Sequence, residues 1–254
     1  MNGEATAAAV VDLFRRLGIR VPGGWVREEP GVLAVVSGVP FPTMNGVWVH
    51  GAEASPTQVA DLVGEVAARG VPYCVQVRPG CAEAARVAVA EHALEAQQSV
   101  PLMAVEDPAV LRGDAEVGDL TVRQATAGER GTHVEVAASG FECLVPLYEQ
   151  MMRATDVIPD QKCWLGFVDE VAVTTALTIP TADGSVGVFN VATPPQRRGH
   201  GYGAAITAAA TRAALAEGAR WVWLQSSPPG LGVYRRVGFR VLEEWPFWTS
   251  ADSG

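Results

Sequence analysis

The sequence predicts a mixed α/β fold in which helices pack on a β-sheet. Short apolar runs of strand length alternate with helical patterns, and glycines stand where several of the helical patterns end. Of the 254 residues, 48% are hydrophobic, which is enough for one large domain or two small ones. No stretch approaches the length of an uninterrupted apolar membrane span, so we expect no membrane partner.

The charge and the cysteines exclude several classes of protein. The 19 basic and 28 acidic residues give a net charge of −9, which disfavours a nucleic-acid partner because phosphate binding requires clustered Lys and Arg. The four cysteines contain no Cys-x-x-Cys pair and are too few for a disulfide scaffold. Glu4 stands where a signal peptide requires a base. We therefore expect a cytoplasmic protein.

The N-terminal half is predicted to begin with an amphipathic helix. Apolar residues at helical spacing support this helix, Pro56 suits the first turn of a second helix, and Gly70 ends that second helix. The predicted elements are helix Ala5–Leu17, strands Val32–Val36 and Gly46–Val49, helix Pro56–Arg69, strand Tyr73–Val77, helix Ala82–Ala96 and strand Pro101–Val105.

A linker is predicted over Glu106–Asp119, which is polar and rich in turn-forming residues. We place the boundary near residue 115, with domains over 1–115 and 116–254. Both halves show the order helix, glycine, strand, Pro-Gly, helix, strand. A duplication and a merely common architecture explain this equally well.

The C-terminal half repeats the alternation of strands and helices. Its predicted strands are Leu120–Arg123, Cys163–Val168, Val171–Ile179, Val186–Ala192, Trp221–Gln225 and Phe239–Trp245. Its predicted helices are Gly128–Ala138, Leu144–Met152, Gly201–Glu217 and Gly230–Val237.

The most informative segment is VGVFNVATPPQRRGHGYG, residues 186–203. Regular strand pairing should stop at Pro194 and Pro195, because proline cannot donate a backbone hydrogen bond. Three glycines at alternate positions then begin a helix and let the backbone approach a ligand: Gly199, Gly201 and Gly203.

The start of this helix is predicted to bind an anion. The N–H groups of a first helical turn and the helix dipole both favour negative charge, and Arg197 and Arg198 add positive charge beside them. A glycine-rich turn that merely caps a helix is the structural alternative. The preceding strand, the following helix and the two arginines favour a pyrophosphate site.

Two other phosphate-binding loops fit less well. A P-loop requires a Lys that this segment lacks. A dinucleotide fingerprint matches at Gly199–Ala204, but the next strand does not end on the acidic residue that would bind the ribose. A nucleotide-dependent oxidoreductase is therefore disfavoured.

Residues Gln196–Gly201 resemble the [QR]-x-x-G-x-[GA] acyl-CoA loop of the GNAT superfamily of N-acyltransferases, and LQSSPPGLGVYRRVGF, residues 224–239, resembles that family's C-terminal section. The resemblance covers about 130 residues. It implies a GNAT-like α/β (α+β) fold, with a mixed, mostly antiparallel sheet flanked by helices. We expect two such domains in tandem, residues 1–115 being degenerate and lacking the acyl-CoA loop because Glu53 and the absence of Gly-x-Gly there disfavour phosphate.

The resemblance also implies a set of functional residues, with acetyl-CoA as co-substrate and no metal. The backbone of Val191, Ala192 and Thr193 would pair with the pantetheine arm, and the Val191 N–H would polarise the thioester carbonyl. The residues implied to hold the coenzyme at the loop, chiefly through backbone N–H groups from 198 to 203, are Gln196, Arg197, Arg198, Gly199, His200, Gly201, Tyr202 and Gly203.

Tyr234 matches the position of the family's frequent general acid, and a purely packing role is the alternative. No general base is evident; the carboxylates that could flank the acceptor are Glu142, Glu149, Asp156 and Asp160. Residues that could line the acceptor site or simply fill the core are Phe141, Tyr148, Met151 and Met152.

Together these features predict an acetyl-CoA-dependent N-acetyltransferase that acts on a primary amine of a small molecule by direct transfer in a ternary complex. The alternative is a catalytically silent acyl-CoA-binding or sensing protein. The sequence does not identify the acceptor, and it leaves the oligomeric state open, a homodimer included.

Overall fold

The computed structural model describes residues 3–113 and 117–251, which form seven α-helices and eleven β-strands. The helices are α1 (Gly3–Arg20), α2 (Pro56–Ala67), α3 (Ala82–Glu91), α4 (Arg130–Gly140), α5 (Val145–Thr155), α6 (Tyr202–Ala216) and α7 (Leu231–Val237). The strands are β1 (Trp25–Glu29), β2 (Val32–Val36), β3 (Asn45–Val49), β4 (Cys74–Val77), β5 (Glu95–Val105), β6 (Thr121–Gln124), β7 (Lys162–Val168), β8 (Val171–Pro180), β9 (Val186–Ala192), β10 (Val222–Gln225) and β11 (Arg240–Thr249).

The described chain divides into two compact units, neither of which is continuous in sequence. The N-terminal unit comprises residues 3–102, 153–158 and 243–251. The C-terminal unit comprises residues 103–113, 117–152 and 159–242. The domain division at residue 115 is an interpretation of the sequence and stays a prediction.

The N-terminal unit is a sheet in the order β1-β2-β3-β4-β11 with α2 and α3 packed on it. The β1–β2, β2–β3 and β4–β11 pairs are antiparallel, whereas β3 and β4 are parallel. Helix α2 begins with a capping box, in which the Ser55 hydroxyl accepts from the Gln58 N–H and the Gln58 side chain accepts from the Ser55 N–H. The apolar face that α2 buries consists of Val59, Leu62, Val63 and Val66.

Three elements of the structure differ from the sequence-based expectation. Strand β1 was not predicted, because its sequence WVREE is polar and only partly buried. The helix predicted over Ala82–Ala96 ends at Glu91, since Ala93 adopts a positive φ of 48° and the chain continues as the longer strand β5. The last strand, β11, runs to Thr249 rather than ending at Trp245.

The C-terminal unit is a sheet in the order β6-β7-β8-β9-β10-β5. The first four strands are antiparallel to one another, and β9 is parallel to β10. Helices α4 and α6 cover opposite faces, because the adjacent β8 residues Thr175 and Ala176 contact His133 of α4 and pack with Ile206 of α6, respectively. The predicted mixed, mostly antiparallel sheet flanked by helices is confirmed.

Candidate active site

Strands β9 and β10 are paired only at their beginnings. Val186 pairs with Val222 and Gly187 with Trp223, and no later pair between these two strands occurs in the described part of the chain. In the N-terminal unit, the parallel pairing of β3 with β4 is continuous, from Gly46 opposite Cys74 to Val49 opposite Val77. The C-terminal unit therefore leaves the later backbone groups of β9 unpaired on the β10 side, where an extended ligand could add hydrogen bonds.

A β-bulge lies near the end of β9. Thr175 pairs with Ala192 and Leu177 with Phe189, so Asn190 and Val191 both stand opposite the single residue Ala176. Asn190 has a positive φ of 52°, a conformation that asparagine tolerates better than most residues. The extra residue disrupts the ladder and turns the backbone of Val191 out of the regular β8 register.

The loop after β9 is an exposed, glycine-dependent turn into α6. Gly199 and Gly201 both adopt a φ of 83°, which costs a residue with a Cβ about 1 kcal/mol or more. A Cβ placed at Gly199 would meet no atom within 4 Å, and residues 195–201 are exposed. Among the described residues, the corner that the sequence assigns to a pyrophosphate is therefore exposed, and the Val117 side chain lies 3.5 Å from the position of a Cβ at Gly201.

Several backbone N–H groups at this corner lack a partner in the described chain. Helix α6 begins after Gly201 without a side-chain cap, and its first internal hydrogen bond runs from the Ala205 N–H to the Gly201 carbonyl. The N–H of Arg198 donates to the Pro195 carbonyl at 3.2 Å, so this group is already used within the turn. The unpaired donors are therefore those of residues 199–204, which form a cluster suited to an anion.

The side chains of the loop point to different partners. The His200 ring stacks on Tyr202 with 5.3 Å between ring centroids, and its Nδ1 lies 2.9 Å from the Arg198 carbonyl oxygen. Gln196 and Arg197 are exposed in the short turn Pro195–Arg197. His200 can therefore bind an anion with its backbone N–H while its ring folds back on the loop.

The residues at the end of β9 and directly after it contact both β8 and the core. Thr174 Oγ1 donates to the Ala192 carbonyl at 3.0 Å and lies 2.9 Å from Thr193 Oγ1. Val191 and Tyr234 both pack against one core cluster below α6 and α7. The structure thus brings Val191 and Tyr234 to the same side of the sheet.

Tyr234 lies on α7, and its ring meets Phe239 edge-on at 6.2 Å between centroids. Burial raises the pKa of Tyr234 to about 12. The phenol is therefore fully protonated at neutral pH and available as a hydrogen-bond donor. Because this pKa exceeds that of an ordinary thiol, the phenol is better suited to sharing its proton with a thiolate than to transferring it completely.

Two of the four candidate carboxylates on the predicted acceptor side, Glu142 and Glu149, form ion pairs with arginines. Glu142 lies 3.1 Å from a nitrogen of Arg198, and Glu149 lies 2.9 Å from a nitrogen of Arg130. Of the apolar candidates, Tyr148, Met151 and Met152 are buried, whereas Phe141 is exposed. Sequence reasoning did not single out any ion pair, because the partners are distant in the chain.

His133 on α4 is a fully buried residue that the sequence did not indicate. The Thr175 hydroxyl donates to the Trp164 carbonyl at 2.8 Å, so its remaining hydrogen bond to His133 Nδ1 requires Nδ1 to carry the proton. Burial and the nearby Arg130 charge lower the pKa of His133 to about 4. The imidazole is therefore neutral, and its buried Nε2 has no partner among the described residues.

The corresponding corner of the N-terminal unit lacks these features. A cavity of about 490 Å³ lies there, and its lining includes Glu4, His50, Glu53, Arg78 and Cys81. The Arg78 guanidinium is bound by Glu243 at 2.8 Å. The capping box at the start of α2 satisfies N–H groups that α6 leaves unpaired. This corner offers carboxylates where the C-terminal unit offers amide hydrogens.

Comparisons with known proteins agree with this geometry. Residues 135–239 match the model of the acetyltransferase (GNAT) family. No protein among the curated sequences matches the chain. The fold is similar to a GCN5-related N-acetyltransferase from Kribbella flavida, with a TM-score of 0.75 and 22% identity over 100% of this chain and 97% of that chain.

Two further solved structures share the fold. A GCN5-related N-acetyltransferase from Sphaerobacter thermophilus gives a TM-score of 0.62 with 19% identity over 86% of this chain and 80% of that chain. A tandem GNAT protein from the clavulanic acid biosynthesis pathway gives a TM-score of 0.62 with 13% identity, covering 100% and 97% of the two chains.

The fold of the described chain is that of GNAT proteins. Residues 135–239 are a domain of the GNAT acetyltransferase family, and GNAT folds, one of them a tandem protein, cover the whole chain. Within residues 3–113 and 117–251, no group of three or more His, Cys, Asp or Glu side chains is suited to a metal ion, and no helix is both long and apolar enough to cross a membrane.

Proposed function

We propose that the protein is a cytoplasmic N-acetyltransferase that transfers the acetyl group of acetyl-CoA to a primary amine of a small molecule. The observation that carries the proposal is the open cluster of unpaired N–H groups over residues 199–204, at the start of α6. Such a cluster at a helix N-terminus is chemically matched to a diphosphate, and acetyl-CoA contains one. The family of residues 135–239 supports acyl transfer as the reaction.

The geometry of β9 supports a place for the rest of the coenzyme. After Gly187 the strand has no parallel partner on the β10 side, so the amides of the pantetheine arm can pair with the backbone of Val191, Ala192 and Thr193. The Val191 N–H, displaced from the regular register by the bulge, would donate to the thioester carbonyl. A donor of this kind contributes about 3 kcal/mol to stabilising the negative oxygen that forms during acyl transfer.

We assign the leaving thiolate to Tyr234. When the amine nitrogen attacks the carbonyl carbon, the C–N bond forms, the C–S bond breaks, and the sulfur leaves with the electron pair. The protonated Tyr234 hydroxyl can stabilise that charge by a hydrogen bond and share its proton with the sulfur. The proton lost by the amine passes to solvent or to a base, for which Glu142 and Glu149 are poor candidates because each already pairs with an arginine.

In this proposal the N-terminal unit does not bind acyl-CoA. Its parallel strands β3 and β4 stay paired, its α2 N-terminus is capped by Ser55 and Gln58, and Glu53 adds a carboxylate, which disfavours phosphate, to the cavity at this corner. We propose direct transfer in a ternary complex, in which the amine attacks the thioester itself. The proposal assigns one coenzyme site to the chain and no side chain as a nucleophile that would carry the acetyl group.

The experiment that tests the proposal combines calorimetry and an activity assay on the full chain. Titration with acetyl-CoA and with CoA should show one site per chain. Thiol release, measured with a chromogenic disulfide over a panel of primary amines, should then exceed the amine-free rate for at least one amine. Failure to bind either coenzyme would contradict the proposal, whereas tight binding without turnover on any amine would favour the silent acyl-CoA sensor.

A further inference from the structure

The Arg198 side chain extends from the loop before α6 to the turn between α4 and α5, residues Gly140–Leu144, and hydrogen-bonds to it. Its Nη2 donates to the Gly140 carbonyl at 2.7 Å and to Glu142 Oε1 at 3.1 Å, and its Nε donates to the Thr193 carbonyl at 3.2 Å. One guanidinium therefore holds the end of β9, the loop that follows it and the last residue of α4.

The contacts of Arg198 differ in strength. The ion pair with Glu142 is exposed on both sides, and exposed pairs contribute little. The contact with the Gly140 carbonyl is expected to contribute more. Carbonyls in the last turn of a helix have no intrahelical donor, and a cation at this end also interacts favourably with the helix dipole. The planar guanidinium reaches the Thr193 carbonyl with Nε and the Gly140 carbonyl and Glu142 with Nη2, whereas all the donors of a lysine lie on one nitrogen.

The α4–α5 turn lies directly beside the end of β9. A Cβ at Gly140 would stand 2.8 Å from the Ala192 Cβ and 3.0 Å from the Thr193 nitrogen. The turn presents two large apolar side chains to solvent, with Phe141 49% and Leu144 75% exposed. The turn that carries these side chains therefore lies, at Gly140, next to the part of β9 to which the thioester is assigned.

We propose that Arg198 is a positioning residue that couples coenzyme binding to the α4–α5 turn, so that occupation of the loop further restrains the turn that carries Phe141 and Leu144. This inference rests on the proposed function. A diphosphate on the N–H groups of residues 199–204 would fix the backbone directly after Arg198, and the guanidinium would transmit that restraint to Gly140. The side chain thus acts through the turn and not on the reacting atoms.

Hydrogen exchange of the full chain, with and without CoA, measures this coupling. In the wild type, CoA should slow amide exchange over residues 199–206 and also in the turn, where the Phe141 and Cys143 N–H groups donate to the Ala137 and Ala138 carbonyls. In Arg198→Ala, at a CoA concentration that saturates the variant, protection of residues 199–206 should remain, whereas the CoA-induced slowing in the turn should fall by about tenfold.

Two matched variants separate coupling from loss of charge or of structure. Arg197→Ala removes the same charge from the neighbouring exposed position and, compared at saturating CoA, should keep the coupling. Arg198→Lys should restore part of it, because an ammonium can reach one carbonyl. Circular dichroism and thermal melting check that each variant is folded.

The outcomes are distinguishable. Protection of residues 199–206 without protection of the turn in the wild type would overturn the inference and leave the proposed function intact. Unchanged protection of the turn in Arg198→Ala would overturn it equally. Absence of CoA protection everywhere would refute the proposed function and the inference together.

Discussion

Replacement of Gly201 by aspartate is the sharpest test of the anion site, because it acts on the backbone and on the charge. Gly201 has a φ of 83° directly before α6, so a residue with a Cβ costs about 1 kcal/mol in that conformation. A carboxylate about 5 Å from a phosphate charge adds about 3 kcal/mol of repulsion at the effective dielectric constant of a protein surface. The backbone cost is present with and without CoA and lowers only the stability. The repulsion alone therefore predicts about a hundredfold loss of CoA affinity, since 1.4 kcal/mol corresponds to a factor of ten.

Gly218→Asp is the matched control. Gly218 follows the other end of α6, has a φ of 101° and has no atom within 4 Å of the position of a Cβ. The same new residue in a similar left-handed conformation should lower the melting temperature comparably and leave CoA binding unchanged. Calorimetric titration of both variants with CoA gives the comparison. Equal affinity of Gly201→Asp and the wild type would refute the assignment of the diphosphate to this helix N-terminus.

Three further predictions concern single side chains. Tyr234→Phe should lower kcat about 100-fold with CoA affinity unchanged. An unchanged rate in the thiol-release assay would show that Tyr234 serves only in packing. Ser55→Ala should reduce the free energy of unfolding by about 1 kcal/mol through loss of the α2 cap, while calorimetry shows undiminished CoA binding. His133 binds a proton more weakly in the folded state, with a pKa of about 4, than in the unfolded chain. Its contribution to stability is therefore present above the unfolded pKa and decreases as the pH falls from about 6.5 towards 4. Urea titration should show about 2 kcal/mol lower stability from this group at pH 5 than at pH 7, and a His133→Gln variant with the same pH slope as the wild type would contradict this account.

Much of the fold was predictable because its elements carry local signals. Helices α1, α2 and α6 coincide within a few residues with the predicted ones, since apolar spacing, a proline in the first turn and terminal glycines are read directly from neighbouring residues. Strand β1 was missed because an exposed edge strand such as WVREE has no apolar pattern. The end of α3 was missed because alanine rarely adopts the positive φ of Ala93.

The candidate site divides in the same way. A sharp turn into a helix was predicted from Gly199, Gly201 and the prolines before them, and the structure has that turn. The bulge at Asn190 depends on the register between β8 and β9, which no local pattern specifies. The proton position on His133 depends on Thr175 and Trp164, residues that only the folded sheet brings to α4.

The sequence by itself determined the order of the elements other than β1 and the glycine-rich start of α6, because helix capping and left-handed turns are properties of residues adjacent in the chain. Only the tertiary structure decided that β9 and β10 separate after Gly187, whereas β3 and β4 do not. Only the fold brought Arg198 to the end of α4. Strand pairing and side-chain contacts between distant segments follow from the free energy of packing the whole sheet and its helices, which no short stretch of sequence contains.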